Sequence, residues 1–207
     1  MMLNGKLILS VAVLLVGQII LYFGCECFQK RMHNVLLPID ARIPFIEASV
    51  LVYVLWFPLI ALFPLGLYGA APLAFAQYMT AMAVEVLISV VCYLIYPTTF
   101  ERPRPSDTWV GRLMTIVYSG SFRGVNCAPS LHCSSCYLIM LCALTCAGLP
   151  LWACALSVIV AAGIVVSTMT TKQHAVIDAV TAVPVALVCW LIGRAWPVMW
   201  LAAWIAG

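Results

Sequence analysis

A chain of 207 residues that is 65% hydrophobic and 8% charged, with a mean hydropathy of +1.11, falls outside the range of soluble domains and reads as a membrane protein. Its net charge of +3 is too small and too scattered for a nucleic-acid partner. The ten cysteines lie mostly inside apolar runs, where cysteine packs as a small hydrophobe, so they do not form a disulfide framework.

A helical span needs roughly 20 apolar residues. Six such runs can be marked: Leu7 to Gly24, Ile46 to Tyr68, Leu73 to Tyr96, Leu131 to Gly148, Leu151 to Met169 and Ala175 to Trp196. They predict an all-α polytopic membrane protein, a six-transmembrane-helix bundle in a single domain over residues 1–207. The first run follows Lys6 and reads as a retained span. Its apolar stretch exceeds the roughly 7–15 residues of a signal-peptide core, and Tyr22 and Phe23 are bulky before Gly24-Cys25.

Between the first two runs, Lys30, Arg31, His33, Asp40 and Arg42 alternate with apolar residues and with Pro38 and Pro44, which fits an interfacial segment. The second span contains Pro58, Pro64 and Gly66, which membrane helices tolerate when neighbours satisfy the backbone. Glu85 sits near the middle of the third span. It reads as a structural carboxylic acid bonded to a neighbouring helix, since mid-bilayer is the wrong depth for a site built at span ends.

About thirty residues separate the third and fourth spans, a length associated with function. Within this connection Ser106 or Asp107 is the expected cap of an interfacial helix, with Trp109, Leu113 and Val117 along one side. Arg102, Arg104 and Arg123 bring three guanidinium groups, whose fork matches a phosphate, to the same stretch. The alternative for these is snorkelling interface charge.

The fourth span opens with Asn126-Cys-Ala-Pro-Ser-Leu-His-Cys-Ser-Ser135. Pro129 suits a first helical position. Ser130 and His132 then fall in the first turn, where free N–H groups and the helix dipole favour an anion such as phosphate. Cys133 and Cys136 form a CxxC beside histidines, but the pair runs straight into a span, so packing is preferred to a metal site. The fifth span turns at Thr171-Lys172, which returns the chain to the side where the fourth began. There His174 and Asp178 stand four apart, so on a helix the carboxylate holds one ring nitrogen while the other faces outward, as in an oriented nucleophile or base. Trp196, Trp200 and Trp204 recur at spacing four after the sixth span and fit an aromatic anchor at headgroup level.

Arg102-Pro103, then Pro129-Ser130-Leu131-His132, then Ser167 with His174 and Asp178 resemble the three motifs of the type 2 phosphatidic acid phosphatase family, in particular the branch related to sphingolipid headgroup transferases such as inositol phosphorylceramide synthase. The family pattern is Lys followed seven residues later by Arg-Pro, then Pro-Ser-x-His, then Ser-Arg-x5-His-x3-Asp, and the likeness covers residues 96–183. Two positions depart from it: Ile95 stands where the Lys is expected and Thr168 where the Arg is expected. Lys172, Arg104 or Arg123 are the available replacements.

The resemblance implies an integral membrane phosphoesterase that needs no metal and no cofactor. His174 would attack phosphorus to give a phosphohistidine, Asp178 would orient it, and His132 would protonate the leaving oxygen and then activate the acceptor. Arg102, Ser130, Lys172, Arg123 and Arg104 would hold the phosphate oxygens. The partner is a lipid phosphate or phospholipid. Transfer of the phosphoryl group to a lipid or polyol hydroxyl is the alternative to hydrolysis, and a lipid or ion carrier is the alternative of another class. The distribution of Lys and Arg points to a cytoplasmic site, whereas the resemblance implies an extracytoplasmic or lumenal one, which is the reading adopted.

Overall fold

The computed structural model describes residues 4–120 and 124–207. It is a mostly helical bundle with five helical stretches long and apolar enough to cross a membrane: Gly5–Glu26, Glu47–Ala70, Pro72–Ile95, Leu151–Thr170 and Val176–Ala195. The expected spans therefore appear within a few residues of their predicted bounds, with one exception. The run predicted to extend to Gly148 forms a helix only over Leu131–Thr145.

In chain order the helices are α1 (Gly5–Glu26), α2 (Val50–Tyr53), α3 (Trp56–Ala70), α4 (Pro72–Ile95), α5 (Trp109–Gly120), α6 (Leu131–Thr145), α7 (Leu151–Thr170), α8 (Val176–Ala195) and α9 (Met199–Ala206). The second span is thus α2 and α3 in series, and the chain shifts at Val54-Leu55, ahead of either proline. Asn4 caps α1 by accepting from the Lys6 N–H at 2.9 Å.

Helix α4 occupies the middle. It packs on α8, α6, α1 and α3, and α6 lies between α7 and α8. One continuous core runs through these helices, with Phe75, Tyr78, Met82, Leu138, Ile139 and Cys189 among its buried residues. Small residues let the central backbones meet. A Cβ on Gly193 would lie 2.3 Å from the Gln77 carbonyl oxygen and 3.1 Å from the Ala81 nitrogen, so α8 touches α4 there with no room for a side chain. Gly193→Val is expected to destabilise the bundle by about 1–3 kcal/mol or more. The measurement is thermal unfolding in detergent, and an unchanged midpoint would mean that α4 and α8 do not pack in this way.

Glu85 is fully buried and accepts a hydrogen bond from the Ser134 hydroxyl, which ties α4 to α6. At the end of the bundle where α1 starts, Lys6 donates to the Trp204 carbonyl at 3.0 Å and stands 5.4 Å from its ring. The Trp196 and Trp200 side chains there are exposed.

The opposite end is less regular. His33–Asn34 pairs in parallel with Thr98–Thr99, and Thr99 bridges Val125, so three extended segments cross above the start of α6. Their polar groups are satisfied from within. The Thr98 hydroxyl accepts from the Cys127 and Ala128 N–H groups at 3.1 and 2.8 Å, and the Tyr93 hydroxyl donates to the Pro129 carbonyl at 2.6 Å. The Ala128-Pro129 peptide is cis.

Helix α5 differs in detail from its sequence pattern. Its cap is Thr108, whose hydroxyl accepts from the Gly111 N–H at 3.1 Å, while Ser106 is engaged by Glu47 through both its N–H and its hydroxyl. The face turned to the protein centres on Gly111 and Met114, and Trp109 is 63% exposed. Glycine 111 decides this, because its bare Cα is what permits contact with the Ser106 backbone.

Candidate functional site

Two chain reversals and one helix start converge at the irregular end. The first reversal is the Thr170–His174 corner between α7 and α8, where the Thr168 carbonyl accepts from the Gln173 and His174 N–H groups, each at 3.0 Å. Lys172 takes a positive φ of 52° to make this turn. Its ammonium donates to the Asp40 and Ile43 carbonyls at 2.8 and 2.6 Å. Asp40 completes the brace, since its carboxylate accepts from the Val176 and Leu37 N–H groups at 2.8 Å each. The second reversal is 124–130, which leads into α6.

His174 is held tightly. Its Nδ1 lies 3.2 Å from Asp178 Oδ2 and 3.1 Å from the Cys127 carbonyl oxygen. Both are acceptors only, so Nδ1 carries the proton and Nε2 of the neutral ring keeps its lone pair. Asp178 is fully buried, and the same Oδ2 also accepts from the Ala175 N–H at 2.9 Å, which caps α8.

His132 faces His174 from the first turn of α6, with Nδ1 3.3 Å from His174 Nε2. Its other nitrogen lies 2.7 Å from the Tyr53 hydroxyl. Tyr53 and Trp56 also flank the ring, with centroids 4.8 and 4.2 Å away, and the Trp56 Nε1–H donates to Ser135 Oγ at 2.8 Å. The two histidines and Asp178 predicted from the sequence thus form one connected set.

The expected phosphate ligands divide. Arg102 lies beside the set: its Nη2 donates at 3.4 Å to the carbonyl of Gln173, the residue before His174, and its guanidinium carbon stands 5.3 Å from the Tyr118 ring centroid. Ser130 is placed as the cap of α6. Its hydroxyl accepts from the Cys133 N–H at 3.2 Å, its own N–H donates to the Asp178 carbonyl, and it is fully buried. Pro129 accordingly precedes the cap and does not occupy the first helical position. Lys172 spends two of its donors bracing the 38–43 segment. Arg104 is exposed on the 100–107 connection, where no hydrogen bond or ion pair joins it to the histidines among the described residues. Arg123 lies outside the described residues.

At the two positions that depart from the motif pattern, the Ile95 side chain is 77% exposed, whereas Thr168 is fully buried and bonded by its hydroxyl to the Val165 carbonyl. Cys133 lies 3.5 Å from the Thr168 hydroxyl, and Cys136 is in the core. His33 stacks on Tyr96 at 4.1 Å, away from this set.

Two apolar cavities occupy opposite ends of the bundle. The larger, about 550 Å³, lies between α1, α4 and α9 and holds no ionisable side chain. The other, about 480 Å³, opens between α1, α2–α3 and α5 and ends on His132, with Tyr22, Phe23, Phe57 and Ile116 in its wall.

Tyr53, Trp56, Asp40 and the Cys127 carbonyl were not identified from sequence. Tyr53 and Trp56 stand three apart at the start of the second span, on the side where the fourth begins. Aromatic spacing at that level was the available signal. No family model matches the chain, no curated protein matches it, and no solved structure matches it.

Proposed function

We propose that this membrane protein is a phosphoesterase that removes phosphate from a lipid phosphate through a phosphohistidine. The observation that carries the reading is a histidine lone pair, fixed by a buried carboxylate and a carbonyl, that faces a second histidine at the end of an apolar cavity. An amine nucleophile oriented in this way is matched to attack on an electrophilic centre, and the cavity suits a hydrocarbon chain attached to it.

In the proposed reaction, His174 Nε2 forms a bond to phosphorus as the bond to the lipid oxygen breaks. His132 enters as the imidazolium and gives its Nδ1 proton to that oxygen, releasing an alcohol. Water then attacks phosphorus, His132 takes its proton, the N–P bond breaks and inorganic phosphate leaves. Asp178 offsets the positive charge on the phosphorylated ring. Arg102 and the first-turn amides of α6 stabilise the non-bridging oxygens. The similarity of the motifs to those of type 2 phosphatidic acid phosphatases supports the same chemistry, with α6 as the fourth of six crossings, α5 lying along the membrane surface and the site on the extracytoplasmic or lumenal face.

The test is incubation of purified protein, in chelator, with phosphatidic, isoprenoid and sphingoid phosphates, with and without hydroxyl acceptors. Release of inorganic phosphate is expected from at least one lipid. A new phospholipid in its place would make the protein a transferase. Turnover of none would remove the reading.

A further inference from the structure

The hydrogen bonds around His132 take their polarity from the far end of the row. In the uncharged pair, His174 Nδ1 must donate because it meets only a carboxylate and a carbonyl oxygen. Its Nε2 is then an acceptor, and the His132 nitrogen 3.3 Å away must be an N–H. A neutral imidazole carries one N–H, so His132 Nε2 is bare, and the Tyr53 hydroxyl 2.7 Å from it is the donor. Every member of the row has one allowed orientation.

We infer that Tyr53 is a positioning residue for His132. Its hydroxyl holds Nε2 and so keeps Nδ1 as the nitrogen presented to His174 and to anything bound between the rings. The catalytic consequence rests on the phosphohistidine reading; the hydrogen-bond pattern stands apart from it.

At 3.3 Å the two imidazoles leave no space for a phosphoryl group. A substrate must part them, and once it does His132 loses the partner that fixed it from the His174 side. What remains is the Tyr53 hydroxyl, with the ring held between Tyr53 and Trp56. Tyrosine also fits every form the reaction requires. It donates to the bare Nε2 of the resting tautomer, and it accepts from the Nε2–H both of the imidazolium that protonates the leaving oxygen and of the neutral form left behind, whose bare Nδ1 then takes the proton of water. Phenylalanine keeps the ring contact and can do neither. Tyr53 and Trp56 stand three apart across the junction of α2 and α3, and both rings lie against His132.

Tyr53→Phe tests the inference by two routes. The chain has three histidines, so ring 15N signals in detergent can be assigned by His33→Gln and His174→Gln. Above the imidazolium titration, wild type is expected to show His132 with a protonated Nδ1 and with Nε2 at the shift of a hydrogen-bonded bare nitrogen. In Tyr53→Phe, that Nε2 signal is expected to move to the higher shift of an unbonded one. A proton on Nε2 of wild-type His132, or an Nε2 signal unmoved by the substitution, would overturn the assignment whether or not any lipid is turned over. In the lipid phosphate assay, Tyr53→Phe is expected to lower kcat about 10- to 100-fold with KM within about 3-fold of wild type. A rise in KM at unchanged kcat would make Tyr53 a substrate contact and overturn the positioning role. An inactive protein with the expected 15N pattern would keep the hydrogen bond and remove the phosphohistidine chemistry.

Discussion

His174→Ala is expected to lower lipid phosphate turnover by about 10⁴-fold or more, since it removes the nucleophile of the proposed reaction. The protein should still fold. Removal of the ring leaves Asp178 Oδ2 with the Ala175 N–H and the Cys127 carbonyl facing a small space, and the brace from Asp40 to Val176 and from Lys172 to the Asp40 and Ile43 carbonyls does not involve the imidazole. The assay is phosphate release from a lipid labelled at phosphorus, with recovery of an acid-labile phosphoprotein from wild type alone. Turnover that survives in His174→Ala would exclude this residue as the nucleophile.

Asp178→Asn separates charge from geometry. The oxygen that holds His174 also accepts from the Ala175 N–H, so an asparagine must place its carbonyl, not its NH₂, at that position. Nδ1 of His174 therefore keeps an acceptor and its proton, and the nucleophile remains aimed. What is lost is the negative charge opposite a ring that becomes cationic on phosphorylation. Removal of one such stabilising interaction costs about 10²- to 10³-fold in kcat, and KM should stay within a few-fold. Equal losses in binding and turnover would show that the carboxylate acts on the bound substrate and not on the ring. Asp178→Ala removes the α8 cap as well, and is expected to lower thermal stability by about 0.5–2 kcal/mol, which the asparagine variant should not do.

The His174–Asp178 pair was found, but not by the geometry expected: His174 lies in the corner before α8 and not on the helix, and Asp178, in the first turn, turns its carboxylate back over the helix start to meet it. The spans were legible because an apolar run of bilayer length has few alternatives. The early end of α6 was not. The apolar run continues past Thr145, but a Cβ on Gly148 would stand 2.6 Å from the Ala70 carbonyl, so the stop coincides with a tertiary contact between the turn after α6 and the turn after α3. Tyr53 and Trp56 were hidden for a related reason. In a segment apolar on every side, no periodicity marks the inward face. Lys172 shows the converse limit. Its sequence position beside His174 suggested a phosphate cation, whereas the left-handed corner directs its ammonium onto two carbonyls of the 38–43 segment. Charge type is legible in a sequence; the direction in which a turn sends that charge is not.

A helix of 15 residues rises about 22 Å, against roughly 30 Å of hydrocarbon in a bilayer. On the proposed reading of α6 as a crossing, the buried, non-helical chain at 125–130, with peptide groups met by Thr98 and Tyr93, would make up the remainder. Such backbone is tolerated at depth when protein surrounds it. On that reading this end of the bundle would form a dimple with the histidines at its floor. On the proposed chemistry, a lipid would sink its headgroup without its tail leaving the leaflet. The two products would then part by polarity alone, with phosphate rising to water and the alcohol diffusing sideways, and the protein would need no moving cover to keep them from recombining.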